Sequence, residues 1–339
     1  MTTDAPATIA DIAAELGVSV PTISKVLNGR ADVAPGTRAR VEEALERHQY
    51  RRRRARPNGS APGLVELAIH RLPSFWSVEI IRGVEEVLGP KRASIVLSSL
   101  DGEHRPRQEW LDDVLARRPL GVILVLSDLS AAQRKQLETR SIPFVVVDTA
   151  GEAEPGVPTV GSQNWNGGLV ATRHLLGLGH RRIAAMSGPT DLLCSRARVD
   201  GYRSAHDEAG VSVDPGLIHH GDFTVDDGYA AGLALLAAAG RPTAVFAGSD
   251  MQALGVMRAA HELGLRVPDD LSVVGYDDIP ITGWLWPPLT TVRQPLREMA
   301  GTAARIVLDL AKGIRPDNLR VDLATELVVR QSTARPPAV

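Results

Sequence analysis

The chain has 339 residues, with 38 Lys and Arg against 40 Asp and Glu, a net charge of −2 and 44% hydrophobic residues. That length allows two or three domains with ample core, and the single cysteine, Cys194, excludes a disulfide framework and agrees with a reducing compartment. No apolar run is long enough to span a membrane and no apolar signal stretch opens the chain, so a cytoplasmic location without a membrane partner is expected.

The first predicted elements are helical. In TIADIAAELG, Ile9, Ile12, Ala13 and Leu16 recur at helical spacing, Thr8 is placed to cap the N-terminus with Asp11 closing a capping box, and Gly17 stops the helix. After Val18, Ser19 is placed to cap a second helix that tolerates Pro21 in its first turn. Ile23, Val26 and Leu27 form its apolar face, and Asn28-Gly29 is expected to close it. Short polar side chains and Lys25 are left facing outward. Two short helices joined by a tight turn fit a helix-turn-helix whose second helix enters a major groove, although an ordinary αα-hairpin has the same pattern.

The flanks decide between these. Pro35-Gly36-Thr37 leads into a third helix in which Val41, Ala44, Leu45 and His48 are expected to share one face, followed by RRRRARPNGSAPG. The first sixty residues carry an excess of Lys and Arg over Asp and Glu, and the remainder is acidic. A basic small domain on an acidic partner indicates phosphate contact that the whole-chain charge conceals.

The string TIADIAAELGVSVPTISKVLNG resembles the DNA-binding headpiece of LacI/GalR transcription regulators, with the core of that motif at Val18 to Asn28. The resemblance implies that Val20 and Pro21 choose bases, that Thr22, Ser24 and Lys25 contact bases or backbone, and that Ser19 and Asn28 hold phosphates or caps. Thr8 joins the DNA-facing set. In physical terms Lys25 suits guanine O6/N7, Val20 suits a thymine methyl, and Pro21 can only pack. One departure stands out: where relatives continue into a hinge helix with a leucine wedge, this chain has Arg51, Arg52, Arg53, Arg54, Ala55, Arg56, Pro57, Asn58 and Gly59. Pro57 and Gly59 oppose an uninterrupted helix, so an arginine arm along phosphates or in a narrow minor groove is expected in its place.

From Leu64 onward, LVELAIH, ASIVLSS, GVILVLS, FVVVDT, RIAAMSG, TAVFAGSD and LSVVGYDD alternate with amphipathic helical segments. Strands alternating with helices predict parallel, doubly wound sheets, which bind ligands beyond the carboxyl ends of their strands. Asp148, Ser249-Asp250 and Asp277-Asp278 all end strands. The segments VGSQNWNGG, LGHRRIA, RARVDGY, VFAGSDMQALGVM and PPLTTVRQP look like landmarks of the same family's effector core, which resembles periplasmic sugar-binding proteins.

The expected fold is therefore a small all-α helix-turn-helix domain followed by an α/β core of two doubly wound parallel-sheet subdomains. Residues 1–50 would form the headpiece, 51–61 a basic hinge and 62–339 the core, with one subdomain at about 62–161 and 291–320 and the other at about 162–290 and 321–339. By the resemblance, Arg198, Ser249, Asp250 and Asp277 bind the effector, Phe223 stacks on its ring, and Trp76 and Trp165 lie on cleft loops. A guanidinium and carboxylates suit vicinal hydroxyls, and an aromatic face suits the apolar side of a mono- or disaccharide. Each residue also has a plainer reading: salt bridge or cap for Arg198 and the aspartates, packing for the aromatics. Trp284 and Trp286, before Pro287-Pro288, suit packing or a dimer seam.

An enzyme is the rival class. Asp277-Asp278 invites a glycosidase reading, but adjacent residues usually point apart. There is no G-x-S-x-G elbow, P-loop or dinucleotide fingerprint, His219-His220 lie in a predicted strand, and neither a zinc site nor another cofactor is supported. Asn58-Gly59-Ser60 is formally a glycosylation sequon, read as chance in a linker. The reading that results is a homodimeric repressor whose headpieces bind a pseudo-palindromic double-stranded DNA operator under control of a small sugar. A non-sugar effector such as a nucleobase is the alternative. The C-terminus lacks the leucine heptads of a tetramerising coiled coil.

Overall fold

The computed structural model describes residues 7–27, 33–48, 50, 63–72, 74–151 and 155–337. Three helices come first: α1 (Ile9–Leu16), α2 (Val20–Leu27) and α3 (Pro35–Arg47). The predicted capping box is present, with the Thr8 hydroxyl accepting from the Asp11 N–H and the Asp11 carboxylate accepting from the Thr8 N–H. Gly17 ends α1 at φ 64°, a left-handed conformation that favours glycine. Ile12, Ile23, Val26, Val41, Ala44 and Leu45 close a small core among the three helices. Glu15 on α1 pairs with Arg47 and His48 at the end of α3, tying the first helix to the third.

The first sheet uses β1 (Gly63–Ile69), β2 (Ala93–Ser99), β3 (Gly121–Val125), β4 (Phe144–Val147) and β5 (Thr159–Ser162), with α4 (Phe75–Leu88), α5 (Gln108–Arg117) and α6 (Ala131–Thr139) between strands. The second begins after α7 (Asn164–Gly177), with β6 (Ile183–Ser187), α8 (Leu193–Glu208), β7 (Ile218–His220), α9 (Val225–Ala237), β8 (Ala244–Ala247), α10 (Asp250–Glu262), β9 (Ser272–Asp277) and β10 (Thr290–Arg293). The chain then returns through α11 (Leu296–Ala311) and β11 (Arg320–Leu323) and ends in β12 (Glu326–Val328).

The strand orders are β11-β5-β4-β3-β1-β2 and β12-β10-β9-β8-β6-β7. Every described pairing is parallel except β10 with β12, which is antiparallel. The central strands read as unbroken apolar runs because helices cover both faces: β3, β4 and β8 are buried at every position. The chain passes between the sheets near Gln163, Gln294 and Thr325.

Two expected boundaries shift accordingly. The return at 291 falls inside β10, whose backbone pairs with β9, so the strand belongs to the second sheet and only α11 goes back. The change at 321 falls inside β11, which pairs with β5 and completes the first sheet before β12 leaves it. Strand pairing overrides boundaries drawn from motif positions.

Helices α7 and α8 approach closely where a Cβ on Gly168 would lie 2.1 Å from the Arg198 carbonyl oxygen, and one on Gly201 would lie 2.1 Å from the Trp165 carbonyl oxygen. The glycines of NGG and DGY thus bring α8, and with it Arg198, against the sheet junction. Among the described residues, no helix is long and apolar enough to cross a membrane.

Candidate effector cleft and DNA-reading headpiece

In the headpiece, Ser19 caps α2: its hydroxyl accepts from the Thr22 N–H at 3.2 Å and bonds the Thr22 hydroxyl at 2.8 Å. Val20, Pro21 and Lys25 are exposed while Ile23, Val26 and Leu27 turn inward, so α2 presents the face that was predicted to be free. Thr8 caps α1 as expected: its hydroxyl accepts from the Asp11 N–H and donates to the Asp11 carboxylate. Asn28, Arg51, Arg52, Arg53, Arg54 and Arg56 lie outside the described residues.

Between the two sheets lies a cavity of about 330 Å³. Trp76, Arg198, Phe223, Ser249 and Asp277 all line it, as the sequence reading expected, and Asp148 joins them. Arg198 is its most constrained group. Its Nε donates to Asn164 Oδ1 at 2.8 Å, its Nη1 donates to the Gly248 carbonyl at 2.5 Å, and its guanidinium carbon sits 3.7 Å from the Tyr276 ring centre and 5.4 Å from that of Phe223. Burial alone would depress its pKa, but Tyr276, Cys194, Asp277 and Asp148 together hold it above the ordinary value, so the side chain is a fixed cation.

The carboxylates around it behave oppositely. Burial pushes Asp148 up to about 6 against the pull of Arg198. Burial pushes Asp277 up to about 7, opposed by Arg198 and by Gln294, whose Nε2 donates to Asp277 Oδ1 at 2.7 Å. Such groups accept or donate to a hydroxyl according to their proton. Cys194, also in the wall, is pushed up to about 11 by burial, which makes it an inert thiol.

The backbone is bent to present these groups. Leu126, Asp148, Asp277 and Asp278, all at strand ends, have φ of 52°, 48°, 120° and 57°. Non-glycine residues in this region cost of order 1–3 kcal/mol each and persist where surrounding structure enforces them, commonly at binding sites. Phe223 lies flat because Gly188 has no side chain: an added Cβ there would come within 2.2 Å of the ring.

Two predicted residues are elsewhere. Asp250 is the first residue of α10, and Ser249 is its cap, accepting from the Gln252 N–H at 3.1 Å. The Asp250 carboxylate turns away from the cavity, accepting from the Ile279 N–H at 2.9 Å and the Thr291 hydroxyl at 2.5 Å, and joins β9 to β10. Trp165 lines a second cavity. Sequence reasoning missed Arg71, which forms an ion pair with Asp222 across the cleft, and His104, 3.6 Å from Asp191. Both pairs join the two subdomains, and nothing in the residue types flagged them.

The raised Asp277 pKa has a measurable sign. In the folded state it keeps a proton that the unfolded chain releases near 3.8, so its contribution to stability falls as pH rises from about 4 through about 7. The buried His70, His180 and His206 and the half-buried His174, held below 6.5 chiefly by burial, act in the opposite sense, so the variant comparison is the informative one. Between pH 6 and pH 8, urea unfolding of Asp277→Asn is expected to gain about 1 kcal/mol relative to the unsubstituted chain. A pH-independent difference would mean that Asp277 is ionised throughout.

With this geometry in place, comparison with known proteins is decisive. The family described as Bacterial regulatory proteins, lacI family, matches residues 8–53, and the Periplasmic binding protein-like domain matches residues 172–333. The Catabolite control protein A of Priestia megaterium is 32% identical over 334 residues, covering 96% of this chain and 99% of that protein. This chain belongs to the lacI family.

As a member of that family it is a DNA-binding transcriptional repressor and not an enzyme. The HTH-type transcriptional repressor PurR of Erwinia tasmaniensis is 34% identical over 339 residues, covering 98% of each chain. Among solved structures, the transcriptional regulator CelR–cellobiose complex has a TM-score of 0.72 at 32% identity, covering 96% of this chain and 99% of that one. The lac repressor dimer bound to operator and the anti-inducer ONPF has a TM-score of 0.68 at 28% identity, covering 97% and 100%. The lacI-family fold implied by the resemblance is thus the fold found.

Proposed function

We propose that this lacI-family repressor senses a neutral sugar in the cleft between its subdomains and reads a pseudo-palindromic operator as a homodimer. The observation that carries the sugar reading is the fixed Arg198 cation flanked by Asp148 and Asp277 beneath the Phe223 ring. Hydroxyl groups find donors and acceptors on one side and an aromatic face on the other. A cellobiose-bound neighbour supports this, and a nucleobase is the competing ligand. α2 is the DNA-reading helix, with Val20, Pro21, Thr22, Ser24 and Lys25 toward the major groove and the arginines at 51–54 and 56 adding phosphate contacts.

The test is binding of the purified protein to its own upstream DNA, titrated with neutral sugars and with nucleobases, at several salt concentrations. Release by a sugar identifies an inducer, and tightening by a sugar identifies a corepressor. A response to nucleobases alone sinks the sugar reading. An unchanged salt slope on replacing Arg51 to Arg54 with alanine removes the arm.

For the dimer, Trp284 and Trp286 are 82% and 91% exposed, a large apolar surface for a monomer to leave in water. A solved neighbour is a dimer. Replacing both with alanine is expected to weaken self-association at least about tenfold, since buried tryptophans dominate such interfaces. Sedimentation equilibrium reads this, and an unaltered dissociation constant would place the seam elsewhere.

A further inference from the structure

Trp165 was expected at the effector cleft, yet it lines a second cavity of about 380 Å³. This cavity runs along the crossing from β5 to α7 and is bounded by β11 through Arg320 and Asp322. It shares Asp148 and Cys194 with the first cavity, so the two cavities adjoin along these side chains. α8 forms the common wall: Leu192 and Arg198 face the first cavity, while Leu193 and Ala197 face the second.

Asp148 is 7% exposed. Among the described residues no side chain donates to its carboxylate, and one backbone N–H, that of Ser162, supports its charged form. A second carboxylate, Asp322, stands across Gly161, where an added Cβ would lie 3.0 Å from Asp322 Oδ1 and 3.4 Å from Asp148 Oδ1. Trp165 is 45% exposed although Asn164, Gly167 and Gly168 beside it on α7 are buried. Gln163 is exposed like Trp165, and Asn166 is half-buried, so their polar groups are open to a ligand in this cavity.

An exposed indole, the amides of Gln163 and Asn166, the Asp148 carboxyl and the Asp322–Arg320 pair repeat the chemistry of the first cavity: an aromatic face with hydrogen-bonding groups around it. We propose that the second cavity is a second sugar subsite, and that the effector is a neutral disaccharide with one ring on Arg198 and Phe223 and the other on Trp165. This rests on the sugar reading above. It makes Trp165 a specificity residue for ligand length.

The experiment is isothermal titration of the full-length protein with cellobiose, maltose, lactose, melibiose, sucrose and trehalose, and with glucose, galactose and fructose. One disaccharide is expected to bind at least about tenfold tighter than each of its own monosaccharides. Trp165→Ala is expected to erase that margin with monosaccharide affinity unchanged, and Trp165→Phe to keep most of it. Because Trp165 is exposed, both variants should retain the circular dichroism of the parent chain. A monosaccharide that binds as tightly as every disaccharide containing it overturns the two-ring effector, as does a Trp165→Ala loss equal for both classes. In those cases the sugar reading stands. Absence of binding by every sugar removes both.

Discussion

Arg198→Ala is expected to abolish the effector response, weakening effector binding by at least about a hundredfold, and to destabilise the core by roughly 3–5 kcal/mol, the usual result of removing one member of a buried charge group. The guanidinium has two roles that one substitution cannot separate. It carries the contacts to Asn164 and Gly248 that fix α8 against the second sheet, and it supplies the positive charge beside Asp148 and Asp277. Without it both carboxyls keep their protons to higher pH, and among the described residues of the lining the one permanent cation left is Arg71, which is engaged with Asp222. Arg198→Lys separates the roles: charge is retained, but the planar fork over Tyr276 is lost. Calorimetric titration with the effector, alongside urea unfolding, reads both effects. Normal effector affinity in the stably folded Arg198→Ala protein would show that the ligand lies away from this cavity.

The second large effect lies in the headpiece. Ile23→Ala removes a side chain that is 0% exposed from the core among α1, α2 and α3. Truncations of this kind cost about 2–5 kcal/mol. A domain of this size buries too little surface for a large reserve, so the substitution is expected to unfold the headpiece at ambient temperature. Operator binding should fall more than about tenfold while effector titration and core unfolding stay as they were. Val20→Ala is the companion, since Val20 is 41% exposed and touches no core: it should alter base preference with the headpiece intact. Amide exchange of the headpiece distinguishes the two. Retained protection in Ile23→Ala would mean that the small core tolerates the gap.

Much of this was legible in the residues because local chemistry dominates there. The Thr8 and Asp11 capping box, the Gly17 stop and the inward face of α2 each follow from a few neighbouring side chains, and each is present. The alternation of apolar strands with amphipathic helices gave the two sheets, and the strand-end rule led to Asp277 and to the Arg198 neighbourhood. What failed depended on direction. Ser249 and Asp250 are adjacent, and a string of letters does not say that the first faces the cavity while the second turns to Thr291. Trp165 is one residue from Asn164, which binds Arg198, yet the helix turns the two side chains to different places. Arg71 and Asp222 are 151 positions apart, and only the folded topology brings them together.

The three crossings near Gln163, Gln294 and Thr325 act mechanically as parallel straps between two rigid lobes. Three straps across one seam resist sliding and separation and leave rotation about the seam as the soft motion. The segment leading from the headpiece enters the structure at β1, in the first lobe alone. A ligand that turns the second lobe against the first therefore acts as a torque on the lobe whose α6 the headpiece meets through Lys135 and Glu46.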